Sequence, residues 1–579
     1  MNDSASDAAN TDGVRIQHDG RIAGAGWFGP PERPLAGWWT LPGRPSRDGV
    51  VIAPPLGYEY WSTHRSLRTL AETLAGAGWN VLRFDWDGTG DSAGEVSDPD
   101  RVAAWRASLA HAVAAMREAG VEHVALVGLR LGATLALFNA EALGIDDVVA
   151  CAPVTGKRFV KEAKMLGIVD PGKPGGLMYA GLMISPGTAS DLEGMDPRKI
   201  FPRISRTLLV TRSGADSASW REALLKNGRS VDVCECPQMH IMLDTPTEDA
   251  TVPAEFIEAI STWLGPGRFR ADGADKHDMR TISDVPWRGG FVRETFACLD
   301  DLAAICCQPP NNDPDTVVVF LSSGSEPHIG PGRAWVEYAR ALASKGYACV
   351  RVDFTGWGES PDEGHAPGRP YDEYCVADTL RIVAALRKTH SRIVLAGLCA
   401  GAWVALKAAQ LIRVEGVFAL NPQLYWQPGD LVEALITDTH RRRTPERRRE
   451  AHGARWKYWS LFDLLGIRPM AARWLIALRK SRTPVMLSFA EGDDGLIFLR
   501  DRCGRRLARE RRSGYLTVEE VSGIDHQMYR LSRREAVTEQ MLRFLDALQQ
   551  RRSAVEWNSR QPEAAISIRS NVAMPRHRL

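Results

Sequence analysis

The sequence predicts an α/β fold built twice over, two mostly parallel sheets each covered by helices on both faces. Three observations carry this. At 579 residues the chain exceeds what one ordinary core organises, so two domains are expected. Runs of Val, Leu and Ile alternate with amphipathic stretches of helical spacing, the pattern of strands buried on both faces of a sheet. Landmarks also recur at nearly constant spacing. Arg83-Phe84-Asp85 with its following Gly88-Thr89-Gly90-Asp91-Ser92 returns as Arg351-Val352-Asp353 with Gly356-Trp357-Gly358-Glu359-Ser360, Asp353 lying 268 residues after Asp85.

The elements follow in order. Residues 1–13 and the Ser-, Arg- and Pro-rich tail 549–579 are expected to be disordered. The first copy spans 14–267, with a helix over 66–77 stopped by Gly78, a strand over 81–84, and a strand over 124–127 that runs into Gly128-Leu129-Arg130-Leu131-Gly132. The Gly, Pro and charge content of 268–282 reads as a linker. The second copy spans 283–548, with a helix over 333–344 and a strand over 393–396 that runs into Gly397-Leu398-Cys399-Ala400-Gly401. Gly397 lies 269 residues after Gly128.

Both turns have the form Gly-x-Nuc-x-Gly between a buried strand and an apolar helix, the context of a nucleophile elbow. The glycines are needed because side chains there would collide with the turning strand and helix. Cys399 suits such a site as a thiolate, whereas Arg130 stays protonated and cannot attack. Taken alone the match is weak, since a buried Cys is more often a small core residue.

Composition excludes several classes. With 72 basic against 71 acidic residues the net charge is +1, which favours neither nucleic acid nor a membrane surface. The apolar stretch 124–144 is interrupted by Arg130 and by a turn, so it reads as core strand plus core helix rather than a membrane span. The ten cysteines include no Cys-x-x-Cys, and Cys234, Cys236, Cys306 and Cys307 lack the second half of a metal site. The start carries no basic region followed by an apolar stretch. A cytoplasmic protein with reduced thiols, no cofactor and no metal is the expectation.

The succession of strand, helix, Arg-x-Asp-x-x-Gly-x-Gly-x-Ser, helix, elbow and helix resembles the α/β-hydrolase superfamily across both copies. The second copy is similar to bacterial serine-aminopeptidase-like (S33-type) hydrolases, through the loop Ser322-Ser323-Gly324-Ser325-Glu326-Pro327-His328-Ile329-Gly330-Pro331-Gly332-Arg333. It departs from their pattern in having Ser322 for Asn and Pro327-His328 for His-Arg. The resemblance also touches dienelactone hydrolases, which place Cys in this turn.

In this fold the acid and then the His follow the nucleophile along the chain. Asp493, in Glu491-Gly492-Asp493-Asp494 after the buried run 484–489, takes the acid position, with Asp494 as the alternative. His526 follows the strand 516–521. His526 would hold the thiol proton of Cys399 as imidazolium, and Asp493 would fix its tautomer. The oxyanion would take N–H donors from Ala400 and from the Ser323-Gly324 stretch. An insertion over about 421–482, with Arg-rich segments at 440–449 and aromatic residues at 456–459, occupies the place of a lid. Its charge reads either as a solvated helix face or as a cationic entrance for CoA phosphates or an acidic carrier protein.

In the first copy His240 and Asp216 hold the base and acid positions while Arg130 replaces the nucleophile, giving a degenerate site. A buried cation needs a counter-ion, so Arg130 is expected to pair with Asp216 or a neighbouring carboxylate. Two roles are open to this copy: scaffold or homodimer surface, or a ligand site acting through Arg130. The chain as a whole is expected to be an acyl hydrolase working through a Cys399 thioester on an ester or a CoA- or carrier-linked thioester. An acyltransferase shares that intermediate, and a non-catalytic binding protein is the rival of another class.

Overall fold

The computed structural model describes residues 15–560 apart from 19–20, 201–203, 227–229, 271–278, 313, 363–368 and 425–469. In the first half, β1 (Arg15–His18), β2 (Arg21–Phe28) and β3 (Leu35–Leu41) make an antiparallel edge. The sheet continues through β4 (Asp48–Ala53), β5 (Asn80–Phe84), β6 (His123–Leu129) and β7 (Asp147–Cys151). A three-stranded patch of β8 (Ile168–Val169), β9 (Leu177–Tyr179) and β10 (Leu182–Ile184) precedes β11 (Arg206–Thr211) and β12 (Ser230–Glu235). The strand order is β1-β2-β3-β5-β4-β6-β7-β11-β12, parallel from β5 onward.

The second half repeats this order and these directions. Its strands are β13 (Ile282–Trp287), β14 (Gly290–Leu299), β15 (Leu302–Gln308), β16 (Thr316–Leu321), β17 (Ala348–Val352), β18 (Arg392–Leu398), β19 (Gly416–Leu420), β20 (Val485–Ala490) and β21 (Leu516–Val521). They are ordered β13-β14-β15-β17-β16-β18-β19-β20-β21. Every residue of β4, β5, β7, β16, β17, β19 and β20 is buried, which is why these strands read as continuous apolar runs rather than alternating ones.

Two sequence expectations need correction, and the linker has contacts that its composition does not announce. The helix expected at 66–77 begins two turns earlier and spans Tyr58–Gly76, because its first turns carry Ser, Thr, His and Arg that blunt the apolar period. The expected linker is docked at both ends. Arg268 grips buried Asp48 through Nε (3.0 Å) and Nη2 (2.5 Å), and Arg280 exchanges backbone hydrogen bonds with Trp27 (2.7 and 3.1 Å). The tail expected from 549 instead continues the helix Leu531–Arg560. Of the expected lid, the helix Met470–Ser481 is described, whereas the Arg-rich segments and the aromatic residues at 456–459 lie outside the described residues.

The halves share a core in which Trp27, Ala36 and Trp38 pack with Phe296, Trp335 and Tyr338. Around it runs a reciprocal exchange of buried charge. Arg83 of the first half forks onto Glu359 of the second (2.8 and 2.7 Å), and Arg351 of the second pairs with Asp91 of the first. The four residues are the recurring landmarks themselves, each offered to the other half's copy. Arg351 and Arg340 also share Glu294, and all three side chains are fully buried. Arg333 binds the carbonyls of Gly90, Ser92 and Gly94, while Arg68 binds those of Gly358 and Ser360. Gly90 and Gly358 have left-handed φ of +50° and +48°, and a Cβ on either would stand about 2 Å from the turn's own Asp85 or Asp353.

His328 sits at the centre of this network, with Nδ1 2.7 Å from Asp353 and Nε2 2.7 Å from Asp91. Burial lowers its pKa, but Asp353 and then Asp91 outweigh burial and raise it to about 10. A group raised in this way contributes stability that is complete below its unfolded value and is lost as the pH climbs through the folded one. The denaturation midpoint should therefore fall steadily from about pH 6.5 towards pH 10. In His328→Gln it should start lower and lose much less over that range, as read by chemical denaturation across pH.

Candidate active site

Cys399 stands between β18 and the helix Ala400–Leu411 with φ +52° and ψ −109°. Arg130 occupies the same conformation, φ +55° and ψ −118°, between β6 and the helix Leu131–Asn139. Such backbone is costly for a non-glycine residue and persists only where the surroundings impose it. Here the strand–helix turn does so. A Cβ on Gly397 would stand 2.3 Å from the backbone of Gly401, and one on Gly401 would stand 2.7 Å from the Ser322 carbonyl oxygen. The Cys399 N–H donates to Leu420 O (2.9 Å), just as the Arg130 N–H donates to Cys151 O (2.9 Å). Two halves with one elbow geometry thus hold side chains of opposite chemistry.

Asp493 and His526 converge on this point. Asp493 caps the helix Asp494–Arg512, its Oδ1 accepting from Gly495 N (2.8 Å), which leaves Oδ2 for His526 Nδ1 at 2.7 Å. That contact makes Nδ1 the donor and leaves Nε2 for the Cys399 sulfur. Asp494, the alternative acid, belongs to the helix's first turn, and the carboxylate on His526 is that of Asp493. Burial works against the charged ring. The hydrogen bond to Asp493 and then the interaction with the Cys399 sulfur overcome it and raise His526 to about 10, so the imidazolium is held across the neutral range.

Two further residues fix this arrangement. Asn421 ends β19 in a left-handed conformation, φ +43°, and is fully buried. Its Nδ2 donates to the His526 carbonyl (2.9 Å) and its Oδ1 accepts from Ala490 N (2.7 Å), so one amide ties the histidine loop to the strand that carries Asp493. Tyr371 places its hydroxyl 3.2 Å from Cys399 Sγ and 3.2 Å from Gln423 Oε1, its ring edge-on to Trp403. Neither is marked in the sequence: Asn421 stands at the start of the expected insertion, and Tyr371 arrives from a loop with no motif around it.

Ala400 opens its helix, where N–H groups lack intrahelical partners. Ser323 and Gly324 form a tight turn closed by Glu326 N to Ser323 O (3.0 Å), with Gly324 at φ +58°. Glu326 completes this turn, its Oε2 buried and without a hydrogen-bond partner among the described residues. Burial first, then Glu248 and Cys399, push its carboxyl well above the usual range, so it is held as a neutral acid that does not oppose a thiolate. Cys151, Cys307 and Cys349 are core thiols, their pKa values raised chiefly by burial. The Glu326 carboxyl should thus tolerate amidation. Glu326→Gln is expected to keep turnover within about threefold, whereas Asn421→Ala, leaving two buried groups unpaired, should lower it tenfold or more in a steady-state assay.

In the first half the elbow residue takes its partners from neighbouring carboxylates. Arg130 pairs with Glu59 Oε1 (3.0 Å) and Glu162 Oε2 (2.6 Å). Glu59 comes from the helix after β4 and Glu162 from the helix Gly156–Leu166, both within reach of a side chain that leaves the elbow upward. Asp216 belongs to the helix Gly214–Leu225, and its side chain lies outside the described residues. His240 is exposed, with its Nδ1 2.9 Å from Pro237 O of its own turn. Among the described residues there is no cluster that would hold a metal ion, and no helix is long and apolar enough to cross a membrane.

Residues 318–547 match the family described as "Alpha/beta hydrolase family". Comparison with proteins of curated function gives no match. Among solved structures the chain is similar to an α/β serine hydrolase without lid from Xanthomonas campestris (14% identity, 44% of this chain and 94% of that one, TM-score 0.29). It is also similar to a dienelactone hydrolase from Anabaena variabilis (12% identity, 44% and 98%, TM-score 0.29). A third similar structure is an esterase from Pyrococcus furiosus (17% identity, 44% and 96%, TM-score 0.31).

Proposed function

We propose that the alpha/beta hydrolase domain at residues 318–547 is an acyl hydrolase that works through a covalent Cys399 thioester on an ester or thioester substrate. The observation that supports it is the convergence of three side chains from three strand ends. An elbow cysteine and a histidine held through Nδ1 by a buried carboxylate meet in one place. In the reaction, the Cys399 sulfur bonds to the carbonyl carbon and the oxygen takes up the displaced electron pair, facing the Ala400 and Gly324 backbone. Collapse re-forms the carbonyl and breaks the bond to the leaving group, which takes the proton held on His526 Nε2. Water then gives a proton to His526 as it attacks the thioester. The second collapse releases the carboxylic acid and returns the proton to the Cys399–His526 pair.

A cysteine acyl-enzyme is itself a thioester, so exchange with a thiol such as CoA is nearly balanced, which favours a thioester substrate over an ester. An acyltransferase would use the same intermediate with an alcohol or thiol in place of water. In this reading the first half is a degenerate copy whose elbow has been given over to Arg130.

Intact-mass measurement after mixing with a chromogenic short-chain ester or an acyl-CoA tests the reading. One acyl group should appear on the wild-type protein and none on Cys399→Ala, with the acyl-CoA reacting faster. Absence of an adduct from either donor, together with no preference of a thiol reagent for Cys399, would put a binding protein in its place.

A further inference from the structure

Above the elbow of the first half lies a cavity of about 290 Å³, at the carboxyl ends of β7 and β11. In open α/β sheets ligands are bound outside the carboxyl ends of the strands. Four of its lining residues are Arg130, Arg158, Arg198 and Arg212, and no carboxylate is among the described residues that line it. The carboxylates stand behind. Asp196 forks onto Arg198 (2.8 and 2.9 Å), Asp244 takes one terminal nitrogen of Arg212 (3.0 and 2.8 Å), and Glu59 and Glu162 hold Arg130. Such backing fixes the guanidinium planes and leaves each of Arg198 and Arg212 nitrogens that these carboxylates do not take.

A separate observation points the same way. Thr211, at the end of β11, lines the cavity with a side chain 2% exposed, and its hydroxyl has no hydrogen-bond partner among the described residues. A buried hydroxyl without a partner is costly, and a ligand oxygen would supply the missing bond. Trp220 supplies an aromatic wall, with Arg198 stacked over its ring 5.4 Å from the centroid.

We propose that this cavity binds a small organic anion whose carboxylate or phosphate head meets Arg198, Arg212 and the Thr211 hydroxyl while its apolar part lies against Trp220. The volume lies at the lower end of ligand pockets, too small for a whole CoA and suited to a compact metabolite. Arg130 closes the floor, already neutralised by its two glutamates, so the degenerate elbow serves as a lining rather than as the anion's counter-ion.

Isothermal titration of the full-length protein with benzoate and with phenyl phosphate, and with benzamide as the neutral control, tests this. One of the anions should bind with a Kd below about 1 mM and benzamide should not. Preference between the anions identifies the head group. Arg198→Ala and Arg212→Ala, both at partly exposed positions, should each weaken binding at least tenfold, and Thr211→Val severalfold. Cys399→Ala should leave it unchanged, which separates this site from the proposed acyl site. The proposal is overturned if neither anion binds, if benzamide binds as well as the anions do, or if binding survives both arginine variants.

Discussion

Replacing Cys399 by alanine is expected to lower turnover on the best acyl donor by a factor on the order of 10⁴ or more, with the fold intact. The side chain is half-buried on an elbow whose backbone is set by Gly397 and Gly401, so removing one sulfur atom leaves those contacts unchanged. Asp493→Asn should approach the same loss by a different route. The amide can present its N–H to His526 Nδ1 and so select the wrong tautomer. It also removes the larger of the two interactions that raise the imidazole to about 10. Alkylation of Cys399 distinguishes these effects. An imidazolium beside a sulfur promotes its attack, so His526→Ala should slow labelling at pH 6 at least tenfold. Equal labelling rates of wild type and His526→Ala at pH 6 would mean that the imidazole does not assist the sulfur.

The second large effect concerns stability. Arg351→Met is expected to destabilise the protein by about 3–5 kcal/mol, because Asp91 loses its guanidinium and Glu294 one of two while both stay buried. Burial raises the Asp91 pKa, but Arg351 and then His328 pull it below the usual carboxylate range, and the variant removes the stronger of those two. The double variant Arg351→Met with Asp91→Asn should recover a measurable part of the loss, since it removes the abandoned charge. Chemical denaturation of the four proteins of this cycle measures the coupling. Additive single effects would mean that the pair is not coupled across the two halves.

The parts of this molecule that were legible in the sequence are those that depend on neighbours in the chain. Continuous Val, Leu and Ile runs gave the buried parallel strands. Asp493 and His526 could be found because each follows such a run by a few residues. What could not be read depends on how separate pieces dock. Arg83, Asp91, Arg351 and Glu359 looked like two copies of a turn motif, and nothing local says that each copy's cation meets the other copy's carboxylate. Glu59 and Glu162 were invisible as partners of Arg130 because they lie 71 residues before it and 32 after it. Asn421 was hidden by the boundary drawn through it, and the flanks of the linker by a Gly and Pro content that reads as loose chain.

The reciprocal exchange of charge also bears on how the chain is made. Asp91 leaves the ribosome 260 residues before Arg351, its partner in the finished protein. At roughly 5–20 residues per second, the delay is on the order of ten seconds to a minute. Through that interval the nascent first half holds Asp91, Arg83 and the Gly90-Ser92 carbonyls in water rather than in a protein interior. Closing them off early would strand them without partners. The first half therefore completes its burial only when the second arrives, and the timetable of synthesis makes the second half the folding partner of the first.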